Sequence, residues 1–361
     1  MHVLTLCCTR HSYLQALLLV GILLGIVGVS VLDVLNASID STTSNGYFGA
    51  SGGTTNHMNS SGYLLQTVDS DTNEEESYDL ADSYTSLNDP YSTIGDGTRP
   101  RIGKVSMLFG RGDLYKKNAD LTSLYERSLA THTEHAKLHG YPFFVARQEI
   151  LPTAWTKHAY ILSVILQEMA KPEEERLEWL MWVDADTIVM NPKTPLEAFL
   201  PPPDLDKINM VIAQDSNGLN DGVFFVRICQ WSVRLFSNII ALKELRKEVR
   251  LKYIEQGAVM WMLDNKQLPQ YNKSVALVPQ SLFNAYEPEW FSAYRQRGRP
   301  FTAGDHLLHL VGPSSKNHMG KWLDEAEAHK EEWELDLSMT STPEDIRKVW
   351  NTIKSHQMRF V

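Results

Sequence analysis

Residues 179–192, Trp-Leu-Met-Trp-Val-Asp-Ala-Asp-Thr-Ile-Val-Met-Asn-Pro, constrain this chain more than any other stretch. An apolar run delivers the backbone to two aspartates separated by one alanine. A second apolar triplet then runs on to an Asn-Pro stop, the pattern of a buried strand opening into a loop. If the strand geometry continues through the aspartates, Asp184 and Asp186 lie on one face with Cα atoms ~6.6 Å apart and point at the same small volume. Two carboxylates ~4 Å apart at an effective dielectric of ~20 repel by about 4 kcal/mol, so the pair requires a proton, a basic partner or a metal. Mg²⁺ and Mn²⁺ take hard oxygen ligands of this kind and complete their shells with water and phosphate. An isolated Asp-x-Asp arises often by chance; its place at the end of a core strand is what gives it weight, because ligands of open α/β sheets bind beyond the carboxyl ends of the strands.

The flanking sequence supplies the rest of such a sheet. A strand is expected over 104–110, ending in a loop with Gly110 and Gly112, then a helix over 118–139, a strand over 141–147 and a helix over 157–170. The loop after a first strand is where α/β folds build phosphate sites, which makes Gly110 a candidate donor contact. Beyond the aspartates come a strand over 208–215, a turn over 218–222, a strand over 223–227 and a helix over 231–245. A helix opened by Glu255 and Gln256 follows, then a loop over 278–286, a strand over 304–312, a polar loop over 313–318 bearing Lys316, and two helices near 321–334 and 343–353. The alternation of strand and helix points to a parallel, doubly wound sheet. His132, His135 and His139 share one face of the first helix and are read as a partly solvated surface rather than a metal site.

Charge and composition narrow the rest. The net charge is -10 over 361 residues, but residues 33–99 hold 11 acids and one base, leaving 33 of each elsewhere. No basic stripe marks a nucleic-acid binder. Residues 14–32 carry no charged side chain and match the ~20 residues that cross a bilayer as a helix. Arg10 precedes the run and acids follow it, so an uncleaved type II anchor is expected: a cytosolic tail at 1–13, a span at 14–32, and everything beyond in the lumen. Residues 33–100 are rich in Ser, Thr, Gly, Asn and Asp and lack apolar periodicity, a disordered stem in front of a catalytic domain at 101–361. Of the three cysteines, Cys7 and Cys8 precede the span and only Cys229 follows it, so no intrachain disulfide can form inside the domain. Glycosylation sequons stand at Asn36, Asn59 and Asn272.

Taken in order, Trp182-Val-Asp-Ala-Asp-Thr187 with Asn191-Pro192, Gly218-Leu-Asn-x-Gly222-x-Phe-Phe-x-Arg227, Trp231-Ser232, Glu255-Gln256-x-Ala258, Val278-Pro-Gln280, Phe283-Asn-Ala-Tyr286 and His309-x-x-Gly312 resemble glycosyltransferase family 34. That family includes fungal α-1,2-galactosyltransferases, the α-1,6-mannosyltransferase subunits of mannan polymerase and plant xyloglucan xylosyltransferases. The resemblance covers roughly residues 104–323.

It implies a GT-A fold, a Rossmann-like mixed sheet flanked by helices, and a metal-dependent, retaining Golgi transferase. The hexose, galactose or mannose, would pass from UDP-galactose or GDP-mannose to a mannose-containing glycan. By the same resemblance Asp184, Asp186 and His309 hold Mn²⁺ (or Mg²⁺), and Ala185 and Gly312 flank these ligands as donor contacts. Lys316 touches the diphosphate, Asn220 and Gly222 approach donor or acceptor sugar, and Gln256 with Glu255 sits near the anomeric carbon. Ile228 and Gly257 depart from the asparagine and serine common in the family. Two other readings remain open at this point: a non-catalytic subunit of a glycosyltransferase complex, and a phosphohydrolase with an aspartyl nucleophile.

Overall fold

The computed structural model describes residues 101–109, 119–246, 248–296 and 298–357. The expected anchor, the stem, the sequons at Asn36 and Asn59, and Gly110 lie outside them. No helix among the described residues is long and apolar enough to cross a membrane.

In chain order the main elements are β1 (Ile102–Met107), α1 (Ala119–His139), β2 (Phe143–Ala146), α2 (Thr156–Met169), β3 (Trp179–Val183), β4 (Thr187–Val189), β5 (Met210–Asp215), β6 (Gly218–Arg227), α3 (Gln230–Leu245) and α4 (Ile254–Asp264). They continue with β7 (Val275–Pro279), β8 (Ala285–Tyr286), α5 (Pro288–Ala293), β9 (Leu307–His309), α6 (Gly312–Lys316), α7 (Met319–Ala328) and α8 (Thr342–Gln357). Single turns stand between some of them, including Pro269–Asn272 and Lys330–Trp333.

Six strands form one mixed sheet in the order β2-β1-β3-β6-β5-β7. Both neighbours of β1 run parallel to it, as β7 does to β5, but β6 runs antiparallel to β3 and to β5. The sheet is therefore mixed, as the family resemblance implied, and not the parallel sheet to which the alternation of strand and helix alone pointed. The reason is local: Asp215 to Gly218 closes a tight hairpin, and a chain that reverses without a crossover must pair antiparallel. The reversal also means that β6 begins at Gly218, so residues 218–222, expected as a turn, are strand.

The carboxyl ends of β1, β3, β5 and β7 consequently share one end of the sheet with the start of β6. There the β5–β6 register slips between Ile212 and Ala213, whose partners are Phe224 and Asn220. Asp221 and Gly222 are thrown off β5 by this bulge and turn toward β3, where the Gly222 carbonyl accepts from the Asp184 amide at 2.8 Å.

β3 is buried on both faces, which explains its unbroken apolar run. On one face Met181, Val183, Val223, Phe225, Phe199 and Phe283 form a core with Ile346 and Trp350 of α8. A second apolar group, with Ile188, Met190, Leu308, Leu310, Met319 and Trp322, underlies a three-stranded sheet in the order β4-β9-β8.

Several further expectations change. The stretch 278–286 is not a loop but the end of β7, a 3-10 turn at Gln280–Leu282 and β8. The polar loop at 313–318 is largely the short helix α6, and the single helix at 321–334 is α7 followed by a separate turn. The histidines of α1 are not a partly solvated surface: His132 and His135 are fully buried and His139 half-buried. Their Nε2 atoms donate to the carbonyls of Thr187 (3.0 Å), Thr194 (3.0 Å) and Pro192 (2.7 Å), pinning α1 to the segment that follows the aspartates.

Candidate active site

The aspartates leave β3 and enter a turn, so the strand geometry that would set both on one face stops at Val183. Convergence comes instead from the turn, closed by Thr187 Oγ1 donating to the Asp184 carbonyl at 2.6 Å, and from β9. In the antiparallel pair β4–β9 the partner of Thr187 is His309. Asp186 is thus one residue from a position that faces His309 directly. Ligand atoms of Asp184, Asp186 and His309 all lie within 4.8 Å of one another, the only such group of three metal-ligating side chains among the described residues.

A network behind His309 fixes its ring. Nδ1 donates to Asn284 Oδ1 at 2.8 Å, Asn284 Nδ2 donates to Asn220 Oδ1 at 2.9 Å, and that same oxygen accepts from the Gly222 amide at 3.0 Å. Held in this way, the ring turns its other nitrogen, Nε2, toward Asp186, 3.5 Å from its Oδ1. The glycine is obligatory, since a Cβ at position 222 would stand 2.2 Å from His309 Cε1. Asn220 and Gly222 therefore act here as the support of the His309 ring. A donor set of two carboxylates and one oriented imidazole could hold a divalent cation.

The two acids each have a lysine. Lys316 Nζ lies 2.9 Å from Asp186 Oδ2, and Lys157 Nζ lies 3.1 Å from Asp184 Oδ1, which also accepts from Trp182 Nε1 at 2.7 Å. Burial would raise the Asp186 pKa, but His309 and Lys316 outweigh it and hold the carboxyl well below the usual range. Burial likewise works against the charge on both lysines; Asp186 overcomes it for Lys316, and Asp184, Asp221 and Glu255 overcome it for Lys157.

Lys157, fully buried, is a hub. Its Nζ donates to the Asp221 carbonyl at 3.0 Å, approaches Asp221 Oδ1 at 3.3 Å and Glu255 Oε1 at 3.8 Å, and sits 5.4 Å from the centroid of the Trp182 ring. Glu255 and Gln256 enter this cluster from the first turn of α4. The side-chain oxygen of Gln256 accepts from the Asp221 amide at 3.2 Å. Burial pushes the Glu255 carboxyl up to about 7, with Lys157 pulling it down and Asp221 adding to the rise. Burial also raises Asp221. One lysine shared among three acids leaves the group short of positive charge, so protons make up the difference.

On the opposite side Glu287, buried ahead of α5, holds the segment that carries Lys316. It accepts from Ser315 Oγ, from His318 Nδ1 at 2.9 Å and from Trp322 Nε1 at 3.1 Å. Gly312, where α6 begins, has φ +77°, a backbone state that side-chain-bearing residues rarely adopt. Ala185, half-buried, lies in the turn between the two aspartates.

Reading the sequence finds Asp184, Asp186, His309, Lys316, Glu255 and Gln256, and the fold assembles them at one end of the sheet. It misses Lys157, Asp221, Asn284 and Glu287. No local signal marked Lys157, which stands between Thr156 and His158; only the fold shows that residues 155–162 are all buried. Asn284 stood inside a recognised motif. The departures prove to be peripheral or accommodated: Ile228 donates its amide to the Glu178 carbonyl at the far end of β3, and Gly257 allows Leu251 and Lys252 to pack against α4, where a Cβ would meet both at 3.2 Å.

The chain is 26% identical over 257 residues to an uncharacterized α-1,2-galactosyltransferase of Schizosaccharomyces pombe, covering 60% of this chain and 72% of that one. It is 25% identical over 248 residues to an α-1,2-galactosyltransferase of the same yeast, covering 59% and 62%. Against the probable α-1,6-mannosyltransferase MNN10 of Saccharomyces cerevisiae identity is 23% over 237 residues, covering 56% and 59%. The matched region thus spans only about three fifths of the length of the last two. Among solved structures, a glycosyltransferase involved in glycosylation of the major capsid of PBCV-1 aligns with a TM-score of 0.44 at 19% identity, covering 62% of this chain and 100% of that one. The model of the galactosyl transferase GMA12/MNN10 family matches residues 104–209 and 203–320. Those limits enclose the whole constellation from Lys157 to Lys316 and more than half of the chain, which accordingly belongs to the galactosyl transferase GMA12/MNN10 family.

Proposed function

We propose that the protein is a metal-dependent retaining glycosyltransferase of GT-A type that moves a hexose, galactose or mannose, from a nucleoside-diphosphate sugar to a mannose-containing glycan. The observation that carries the reading is the convergence of Asp184, Asp186 and His309 within 4.8 Å, beside a lysine already paired with one of them at 2.9 Å. Relatives named as α-1,2-galactosyltransferases and as a probable α-1,6-mannosyltransferase support the two sugars considered.

In this reading Asp184, Asp186 and His309 would hold a divalent cation, Mn²⁺ by preference, which would supply Lewis-acid neutralisation of the donor diphosphate. Lys316 turns from Asp186 to the phosphate oxygens and stabilises charge as it develops on the leaving group. Gln256 is placed by its bond to the Asp221 amide and presents its remaining side-chain NH₂ donor to the sugar. Glu255, with its carboxyl near neutrality, holds or releases a proton beside it. The acceptor oxygen bonds the anomeric carbon as the bond from that carbon to the diphosphate oxygen breaks on the same face, and its proton passes to the departing diphosphate, so the anomeric configuration is retained. Residues 14–32 anchor the chain in the Golgi membrane with residues 101–361 in the lumen; protease protection of the domain in sealed vesicles tests that orientation.

The test of activity is a donor panel. Full-length protein with Mn²⁺, an α-mannoside acceptor and either UDP-galactose or GDP-mannose is expected to transfer one hexose, to stop on chelation and to recover when Mn²⁺ is returned. Folded protein that neither transfers nor hydrolyses any donor sinks the proposal.

A further inference from the structure

A ladder of aromatic rings runs from the proposed ligand His309 to the surface. Tyr286 meets His309 edge-on with centroids 5.9 Å apart, Trp290 meets Tyr286 edge-on at 5.0 Å, and Tyr294 stacks on Trp290 at 4.5 Å and 29°. The first two rings are held rigidly. Tyr286 is fully buried and donates its hydroxyl to Asp215 Oδ2 at 2.9 Å, and Trp290 is 8% exposed. Tyr294 is 55% exposed, with one ring face on Trp290.

Exposed tyrosines are common and need no explanation. This one differs in its placement. A Cβ on Gly312 would lie 3.7 Å from Trp290 Nε1, so the ladder passes beside the turn that joins His309 to Lys316. The next segment also touches the hairpin that starts β6, because Gln296 Oε1 accepts from the Ser216 amide at 2.9 Å. Tyr294 therefore stands at the rim of the carboxyl end of the sheet, the third ring along the ladder from His309.

We propose that the free face of Tyr294 is a subsite for a pyranose ring of the acceptor glycan; the inference rests on the transferase reading above. The face of an aromatic ring is negative, and the C–H bonds on one side of a pyranose present a flat, weakly positive surface to it, while the hydroxyl groups at the edge stay in water. A phenol already stacked on a buried indole loses little freedom when a sugar settles on it. The chemistry selects a hexopyranoside and is indifferent to the nucleotide.

The test varies α-1,6-mannobiose at fixed nucleotide sugar and Mn²⁺, using the full-length chain. Tyr294→Ala is expected to raise the acceptor KM by roughly three- to tenfold, while the donor KM stays within about twofold and Tyr294→Trp recovers the wild-type acceptor KM. An acceptor KM unchanged in Tyr294→Ala overturns the subsite, and so does a parallel rise in donor KM. If wild-type protein turns over no donor, the transferase reading fails by itself. The subsite is then read by saturation-transfer NMR of mannobiose: ring-proton saturation lost in Tyr294→Ala upholds it, and equal saturation in both proteins removes it.

Discussion

At the scale of single residues, the site depends on one missing methyl group and one shared ammonium. Gly222→Ala places a carbon where His309 Cε1 stands, 2.2 Å away, and the imidazole must swing off Asn284. Losing an orienting partner of a metal ligand costs roughly 10- to 100-fold in metal affinity. Gly222→Ala is expected to shift the Mn²⁺ concentration for half-maximal activity upward by that factor, read from a metal titration. Lys157→Met, close in volume, strips Asp184, Asp221 and Glu255 of their common cation. Removing one member of a buried charge network costs about 3–5 kcal/mol, so urea unfolding is expected to move by that amount. A loss below 1 kcal/mol would show that the cluster does not depend on the Lys157 cation.

At the scale of elements, the short helices do what the loops were expected to do. α6 carries Lys316 only because Glu287 grips Ser315, His318 and Trp322 on either side of it. Glu287→Ala leaves buried donors unmatched, at about 1–3 kcal/mol, and frees the α6–α7 junction. We expect it to lower Tm and to raise the donor KM together, whereas Glu289→Ala, an exposed neighbour, changes neither. Differential scanning fluorimetry and donor titration read the two effects. The bulge in β6 is the other element with a consequence. Without the slip between Ile212 and Ala213, Asp221 would stay in register with β5 and could not reach Lys157.

For the molecule as a whole, buried histidines govern the response to acid. Burial holds His132, His135 and His158 well below the ordinary imidazole range and His306 at about 3. Below pH ~6.5 the unfolded chain binds protons at these four positions while the native fold does not, so stability falls as pH falls. Asp186, held low in the fold, joins in the same direction once the pH drops into the range of an ordinary carboxylate. Glu255 at about 7 and the raised Asp221 act oppositely, because the fold keeps protons there that the unfolded chain has lost. The histidines outnumber them. Tm is expected to decline from pH 7.5 to 5, read by differential scanning fluorimetry. A flat Tm over that window would show that the buried histidines do not outweigh Glu255 and Asp221.

The sequence by itself determined what local pattern and chemistry can encode. A doubly buried β3 follows from an unbroken apolar run, α1 to α4 lie within a few residues of their periodic stretches, and Asp184, Asp186, His309 and Lys316 are residue types suited to a cation and a diphosphate. Only the tertiary structure decided how they meet. β6 runs antiparallel because of a hairpin four residues long, β9 pairs with β4 and so sets His309 beside Asp186 across more than a hundred residues, and Lys157 finds its acids through the bulge in β6. Strand pairing and the positions of counter-charges are long-range choices, fixed by which buried faces and charges must satisfy one another, and no window of neighbouring residues contains that information.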